Sequence, residues 1–275
     1  MNTIFETISK PGTRLTILIA VCFMLYLLEN GIPFKKNNRN HLVTNITLTI
    51  FTIVLNLLTS AATVLLLDYT TASNFGVLRF FNPGTLATII ISIFFLDFWA
   101  AYLSHVIMHK IPFLWKFHSV HHADTMIDVS STLRHHPFEI IWRMFFQISG
   151  ALILGIPFWM LGFYILISVT NGQLEHANIS FPEKLEKFLR YFYVTPTTHK
   201  VHHSKLRLET NSNYGNLFSI WDRIFKTFRI VAEPKKIEYG LDYVPDEKSS
   251  NSLKSLLSVS LKKSTKQESK EISVK

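Results

Sequence analysis

Long stretches without charge dominate the first 104 residues. Residues 15 to 28 (LTILIAVCFMLYLL), 44 to 67 (TNITLTIFTIVLNLLTSAATVLLL) and 85 to 104 (TLATIIISIFFLDFWAAYLS) are apolar runs interrupted by almost nothing ionisable. Runs of about 18 or more such residues read as membrane-spanning helices, because lipid cannot satisfy a bare backbone and a helix satisfies its own. Three together weaken the alternative of buried helices in a large soluble core. The first run is short enough for a signal sequence, yet ENGIPFKKN follows it in place of a small-residue cleavage site, so it reads as an anchor. A further apolar stretch, 138 to 169, carries Gly150, Gly155 and Pro157 near its middle. That punctuation predicts a helical hairpin, or two half-embedded helices, whose ends share one side of the membrane.

The fold expected is therefore all-α: an integral-membrane bundle of about four spanning or hairpin helices, carrying a polar cap. Residues 1–84 supply N-terminal membrane helices, 85–230 the chemically rich region, and 231–275 a polar tail in which serine and lysine dominate. Disorder is the expectation for that tail, with SLKSLLSVSLKK as an alternative short surface helix. FPEKLEKFLRYFYV, 181 to 194, has the pattern of an amphipathic helix lying at the interface.

Charge adds orientation. KKNNR at 35 to 39, Lys110 and Lys116 flank the spans on one side, whereas the link 68 to 83 has Arg79 as its one cation. The positive-inside tendency then turns the later, histidine-bearing ends toward the cytoplasm. The formal net charge of +9 is partly an effect of the closing KKSTKQESKEISVK. Beside membrane helices, such a balance points to anionic lipid and away from nucleic acid. Cys22, the one cysteine, lies inside the first run, which excludes a disulfide framework and a thiolate metal site.

Of 12 histidines, all but His41 fall between His105 and His203. Three groups have ligand spacing: HVIMH (His105, His109), HSVHH (His118, His121, His122) and HKVHH (His199, His202, His203). Residues three and four apart share a helix face, so each group aims its imidazoles at one point. A single zinc ion is usually satisfied by four ligands. These eight, with His136 and His176 nearby in sequence, suit two ions. His41 and His135 are left as structural or surface residues. Asp97, Ala101, His105 and His109 follow at steps of four, so Asp97 could accept the second ring N–H of a ligand histidine or simply face water or another helix. Imidazole alone does not choose between zinc, copper, nickel and iron.

At these residues the chain resembles the fatty acid hydroxylase superfamily, which includes sterol desaturases and alkylglycerol monooxygenase. DFWAAYLSHVIMH is similar to its first histidine box, LWKFHSVHH to the second, RHHPFE to an Arg-x-His-Pro element, TPTTHKVHHS to the third box and NYGNLFSIWDRIFKTF to the stretch beyond it. The resemblance implies two iron ions held by the eight box histidines and His176. Where some members carry another histidine, this chain has Gly172, and a water or His136 could fill that position. It also implies an O2-dependent enzyme that hydroxylates or desaturates a membrane lipid, such as a fatty acyl or sterol chain. A separate electron-transfer protein is implied as donor, since no cytochrome or ferredoxin signature is visible. Asn213, Tyr214, Trp221 and Asp222 would brace the site or shape its mouth, or serve packing and helix termination. The rival classes are a two-zinc membrane hydrolase, with Glu139 or Glu175 as base, and a non-catalytic metal-binding membrane protein.

Overall fold

The computed structural model describes residues 7–8, 10–36, 39–244 and 247–259. Four helices are long and apolar enough to cross a membrane. They are α1 (Pro11–Gly31), α2 (Leu42–Ala72, extended by a short turn Val77–Phe81), α3 (Thr85–Lys110) and α5 (Pro137–Leu154). Between the last two lies α4 (Pro112–His122), and α6 (Phe158–His176), α7 (Glu183–Leu189), α8 (Pro196–His202) and α9 (Leu253–Val259) follow. Among the described residues there is no strand, only an isolated antiparallel bridge between Ser204 and Tyr239. The all-α membrane bundle expected from the apolar runs is thus the fold of the chain.

The helices are arranged by what they bury. Ile19, Phe23, Leu58, Leu65 and Tyr69 of α1 and α2 stand exposed, as side chains that face acyl chains would. By contrast α6, at the centre, buries Met160, Leu161, Tyr164 and Leu166. The main apolar core gathers Leu96 and Ala100 of α3, Phe146, Ala151 and Leu154 of α5, and Leu161 and Tyr164 of α6. The expected hairpin is present: α5 ends at Gly155, whose left-handed φ of 72° closes the turn, and Pro157 caps the return helix α6. The loop after α2 crosses this turn glycine on glycine. A methyl group on Gly76 (φ 115°) would overlap the Gly155 backbone, and one on Gly155 would overlap Phe75 and Gly76. Arg79 Nε donates to Gly155 O at 2.9 Å and fastens the crossing.

The polar cap is built from short helices with explicit starts. Pro112, Pro137 and Pro196 each occupy a first helical position, where their missing N–H costs nothing. Thr195 and Thr198 form a reciprocal capping box at the start of α8. Two features differ from the sequence expectation. The amphipathic segment 181 to 194 is helical only over Glu183–Leu189, though Leu185, Phe188, Tyr191 and Phe192 remain exposed along it. In the tail from 231, where disorder is the expectation and a short helix the alternative, residues 231–244 and 247–259 are described, and α9 buries Leu256 against Leu48 and Val120. Residues 260–275 lie outside the described residues.

What docks that tail is a buried polar clamp. Arg134 is fully buried and donates from Nε to Val120 O (2.9 Å), from Nη1 to Asn45 Oδ1 (2.7 Å) and from Nη2 to Ser250 O. Beside it the buried His41 meets Asp124 Oδ1 at 3.3 Å and Asp128 Oδ2 at 3.0 Å. A histidine left aside in the sequence therefore joins the start of α2 to the loop after α4. Burial alone would lower the pKa of His41, but the two carboxylates outweigh it and raise the value above its ordinary 6.5. Asp128 is held below its usual range against the opposing effect of burial, chiefly by His41.

Two outcomes are expected. Gly76→Ala should cost about 1–3 kcal/mol through strain and overlap, read as a lower thermal midpoint in detergent; an unchanged midpoint would mean the crossing relaxes freely. A raised histidine pKa stabilises fully below the unfolded value and ceases to do so as pH rises through the folded value. His41→Gln should therefore lower the midpoint more at pH 6 than at pH 8.5, and an equal loss at both would show that charge on His41 contributes nothing.

Candidate metal centre

The three histidine motifs come together under the bundle, sorted into two clusters that mix them. One contains His105, His109, His118, His122 and His202; the other contains His121, His176, His199 and His203. Within each, one ring nitrogen per residue lies within 4.8 Å of the others. Helix geometry explains the sorting: in α4, His118 and His122 are one turn apart and meet His109 of α3, whereas His121, at the side of that line, meets His176 and His203. In α8, His199 and His203 share a face, and His202 points toward the first cluster. His109 is half-buried and the other eight are buried.

The spacing is that of ligands around a cation. Nε2 of His118 lies 3.0 Å from that of His105 and 3.2 Å from that of His122. Nε2 of His176 lies 3.2 Å from those of His121, His199 and His203. Bonds of about 2.1 Å from a metal to imidazoles at right angles would separate the nitrogens by about 3.0 Å. Burial, with the neighbouring imidazoles adding to it, holds His118, His121, His122, His199 and His203 well below the ordinary histidine value. Burial takes His202 down to about 4. All are neutral at pH 7 and have a lone pair to give, so the donor set fits one metal ion in each cluster.

Ring orientation is fixed by what accepts the opposite nitrogen. Nδ1 of His105 donates to Tyr214 O (2.9 Å), that of His202 to Ser212 O (2.7 Å), that of His176 to Gly172 O (2.7 Å) and that of His109 to Asn211 Oδ1 (3.3 Å). His118 uses a carboxylate, donating from Nδ1 to Glu139 Oε1 at 2.9 Å. The first cluster is thus braced at four of its five rings and the second at one of four, because Nδ1 of His121, His199 and His203 makes no hydrogen bond among the described residues, Glu175 Oε1 lying 3.9 Å from that of His199.

Asp97 has another task. It accepts from the backbone N–H of Leu217 (3.0 Å) and Phe218 (3.2 Å) and from Trp221 Nε1 (2.9 Å), and it meets no imidazole. The stepping by four fails because Asp97–Leu103 is a π-helical turn, in which each turn takes an extra residue and Asp97 rotates off the face of His105. Asp222 holds the same loop from below, accepting from Tyr214 N and Gly215 N, both at 2.8 Å. Asn213, at φ 51°, closes it through Thr198 O and both backbone groups of Arg229. These residues act on the histidines through Ser212 O and Tyr214 O.

His136 lies outside both clusters: its Nδ1 accepts from Phe138 N at 3.1 Å and caps α5. His135, set aside in the sequence, lies nearer, 5.2 Å from the ring of His121 and 3.7 Å from Glu139. Glu139, Ser212, Asn211 and the carbonyl of Gly172 orient rings without any spacing signal that sequence reading could use. Above the clusters a cavity of about 420 Å³ opens among α1, α2, α5 and α6 and reaches His105, His121, His176 and His199. Its upper wall is apolar, with Leu15, Leu18, Leu161, Ile165 and Val169.

Comparison with known proteins agrees with this arrangement. The family model described as fatty acid hydroxylase matches residues 89–227, half of the chain. The chain is 29% identical over 140 residues to an ornithine lipid hydroxylase of Rhizobium tropici, covering 51% of this chain and 41% of that protein. To the human alkylglycerol monooxygenase it is 30% identical over 143 residues, 52% of this chain and 30% of the relative. For human cholesterol 25-hydroxylase the identity is 27% over 135 residues, 48% of each. The matched part thus spans about a third to a half of these relatives' lengths. No solved structure matches. Two histidine clusters assembled from three boxes and His176, inside a matched segment that runs from α3 to the loop under the clusters, place the chain in the fatty acid hydroxylase family.

Proposed function

We propose that the chain is a membrane oxygenase that uses O2 to hydroxylate a lipid, with one iron ion in each histidine cluster and electrons from a separate protein. The observation that carries this reading is the pair of neutral histidine clusters at the floor of a largely apolar cavity. The reaction balances as R–H + O2 + 2 e⁻ + 2 H⁺ → R–OH + H2O. Removal of a second hydrogen in place of oxygen insertion would yield a double bond, so desaturation is the neighbouring outcome. The iron pair supplies the activation of O2, and everything else falls to the chain's own residues.

Their roles follow from position. Apolar side chains of α1, α5 and α6 hold the lipid and keep bulk water from the reacting carbon. Glu139 and the carbonyls of Ser212, Tyr214 and Gly172 keep Nε2 of their histidines turned inward. Asp97 and Asp222 hold the loop that supplies two of those carbonyls. By the charge asymmetry of the links, the clusters face the cytoplasm, where a soluble donor would reach them. The relatives' substrates, an ornithine lipid, an alkylglycerol and cholesterol, favour a lipid here without choosing one. His136 has no part in this reading. A two-zinc hydrolase would need a base at the floor, and Glu175 does line the cavity, with Oε1 3.9 Å from His199 Nδ1.

Mass spectrometry of lipids from aerobic cells expressing the chain should show a species heavier by one oxygen, absent with His121→Ala/His122→Ala. Hydrolysis products appearing without O2 would overturn the oxygenase. Metal analysis of purified protein should give two irons per chain, falling to about one for His118→Ala or His199→Ala; two zinc ions would favour the hydrolase. Glu139→Ala should weaken metal affinity about 10- to 100-fold, and Glu139→Gln, which keeps an acceptor for His118, should recover most of it. Equal loss in both would reduce Glu139 to its charge.

A further inference from the structure

Arg143 is a permanent cation two turns into α5, a helix apolar enough to span the membrane. Charges in such places are costly and tend to be kept for function. Neutralising Glu139 accounts for only part of it. Arg143 Nε donates to Glu139 Oε1 at 2.9 Å, but the pair is not a closed fork: Glu139 Oε2 has no partner among the described residues. Nε is the one atom of the Arg143 guanidinium with a hydrogen bond among the described residues, and its terminal amino groups are not among the buried atoms left unpaired. The side chain is 27% exposed, and it lines the cavity beside His105, His121, His176 and His199. Five N–H groups with one used leave a planar donor edge available inside a mostly apolar space.

We propose that this edge is the head-group site of the substrate: an anionic lipid with a single chain docks its carboxylate or phosphate monoester on Arg143. The inference rests on reading the cavity as the lipid site. The chain would lie along α6 past Val169 and Ile165 to Leu161. From Gly172 to Leu161 that arm runs about 16 Å at 1.5 Å per residue. Arg14 also lines the cavity at its other end, 5.7 Å from the ring of Phe158. It occupies the first turn of α1, and its buried Nε also lacks a hydrogen-bond partner among the described residues, so an anion preference that survived Arg143→Gln would point to it. Arg143 is instead anchored beside the histidines, because its Nε is tied to Glu139, the carboxylate that holds His118. The same tie fixes the guanidinium plane, so a bound anion meets a preformed fork.

Binding of palmitate, hexadecyl phosphate and hexadecanol to the full chain in phosphatidylcholine nanodiscs tests this. Palmitate, hexadecyl phosphate or both should bind about 10- to 100-fold more tightly than hexadecanol, and the preferred anion identifies the head group. Arg143→Gln should bring the anions to within about twofold of hexadecanol while leaving hexadecanol itself unchanged. Arg143→Lys, which keeps the charge without the fork, should retain part of the preference and serves if the glutamine variant does not fold. Equal affinities in the unaltered chain, no binding of any probe, or a preference that survives Arg143→Gln would each overturn the proposal. The assay needs neither O2 nor a donor, so an anion preference in a chain that oxygenates nothing would sink the function proposed above and leave this site standing.

Discussion

Nine imidazoles whose nitrogens converge on two small volumes must be held apart from solvent and aimed from behind. A buried ring is useful as a ligand only if it is neutral and presents the correct nitrogen, and both conditions come from the surroundings. Burial keeps the rings of α4 and α8 unprotonated, and acceptors at Nδ1 choose the tautomer. Those acceptors lie largely at one end of the loop 211 to 218, which Asp222 pins at Tyr214 and Gly215 and Asp97 at Leu217 and Phe218. The cluster geometry therefore depends on two carboxylates that touch no histidine.

The bracing is unequal. The five-histidine cluster is oriented by two backbone carbonyls, the side-chain amide of Asn211 and Glu139, whereas three of the four rings in the other cluster make no hydrogen bond at Nδ1 among the described residues. The less braced cluster also supplies most of the histidines that reach the cavity. The better-braced cluster thus lies largely away from the cavity and the less-braced one beside it. That division would suit the oxygenase proposed above, whose cavity side would have to take a substrate and O2.

A second polar assembly ties the cap to the membrane helices. Arg134 links α4, α2 and the tail, and His41 links α2 to Asp124 and Asp128 just beyond the second histidine motif. Glu29 of α1 accepts from Val129 N and Asn178 N, so the first helix is fastened to the same region. Buried charges of this kind are costly unless fully hydrogen-bonded, and here their partners come from segments far apart in the chain. They hold the floor in register with a bundle whose outer helices have lipid as their main neighbour.

Much of this was legible in the residues. Uninterrupted apolar runs announce spanning helices because lipid imposes a simple length and composition rule, and glycine with proline marks the α5–α6 turn. Histidines at spacings of three and four name the ligand candidates, since a helix face is a local property. Which histidines share a cluster is not local: the sorting of His121 from His122, and the entry of His176, arise only when α4, α6 and α8 meet. Of the two readings left open for Asp97, the one without an imidazole partner holds, because a π-helical turn, invisible to a count by fours, rotates it away. Burial of Leu256, in a tail of polar composition, against Val120 and Leu48, and the role of Glu139 behind His118, likewise required partners 136 or more and 21 residues distant. Sequence by itself determined the membrane bundle and the chemistry of its donors, because period and composition act over a few turns. Tertiary structure alone decided which donors converge and what holds them, because hydrogen bonds between distant segments exist only after the chain has packed.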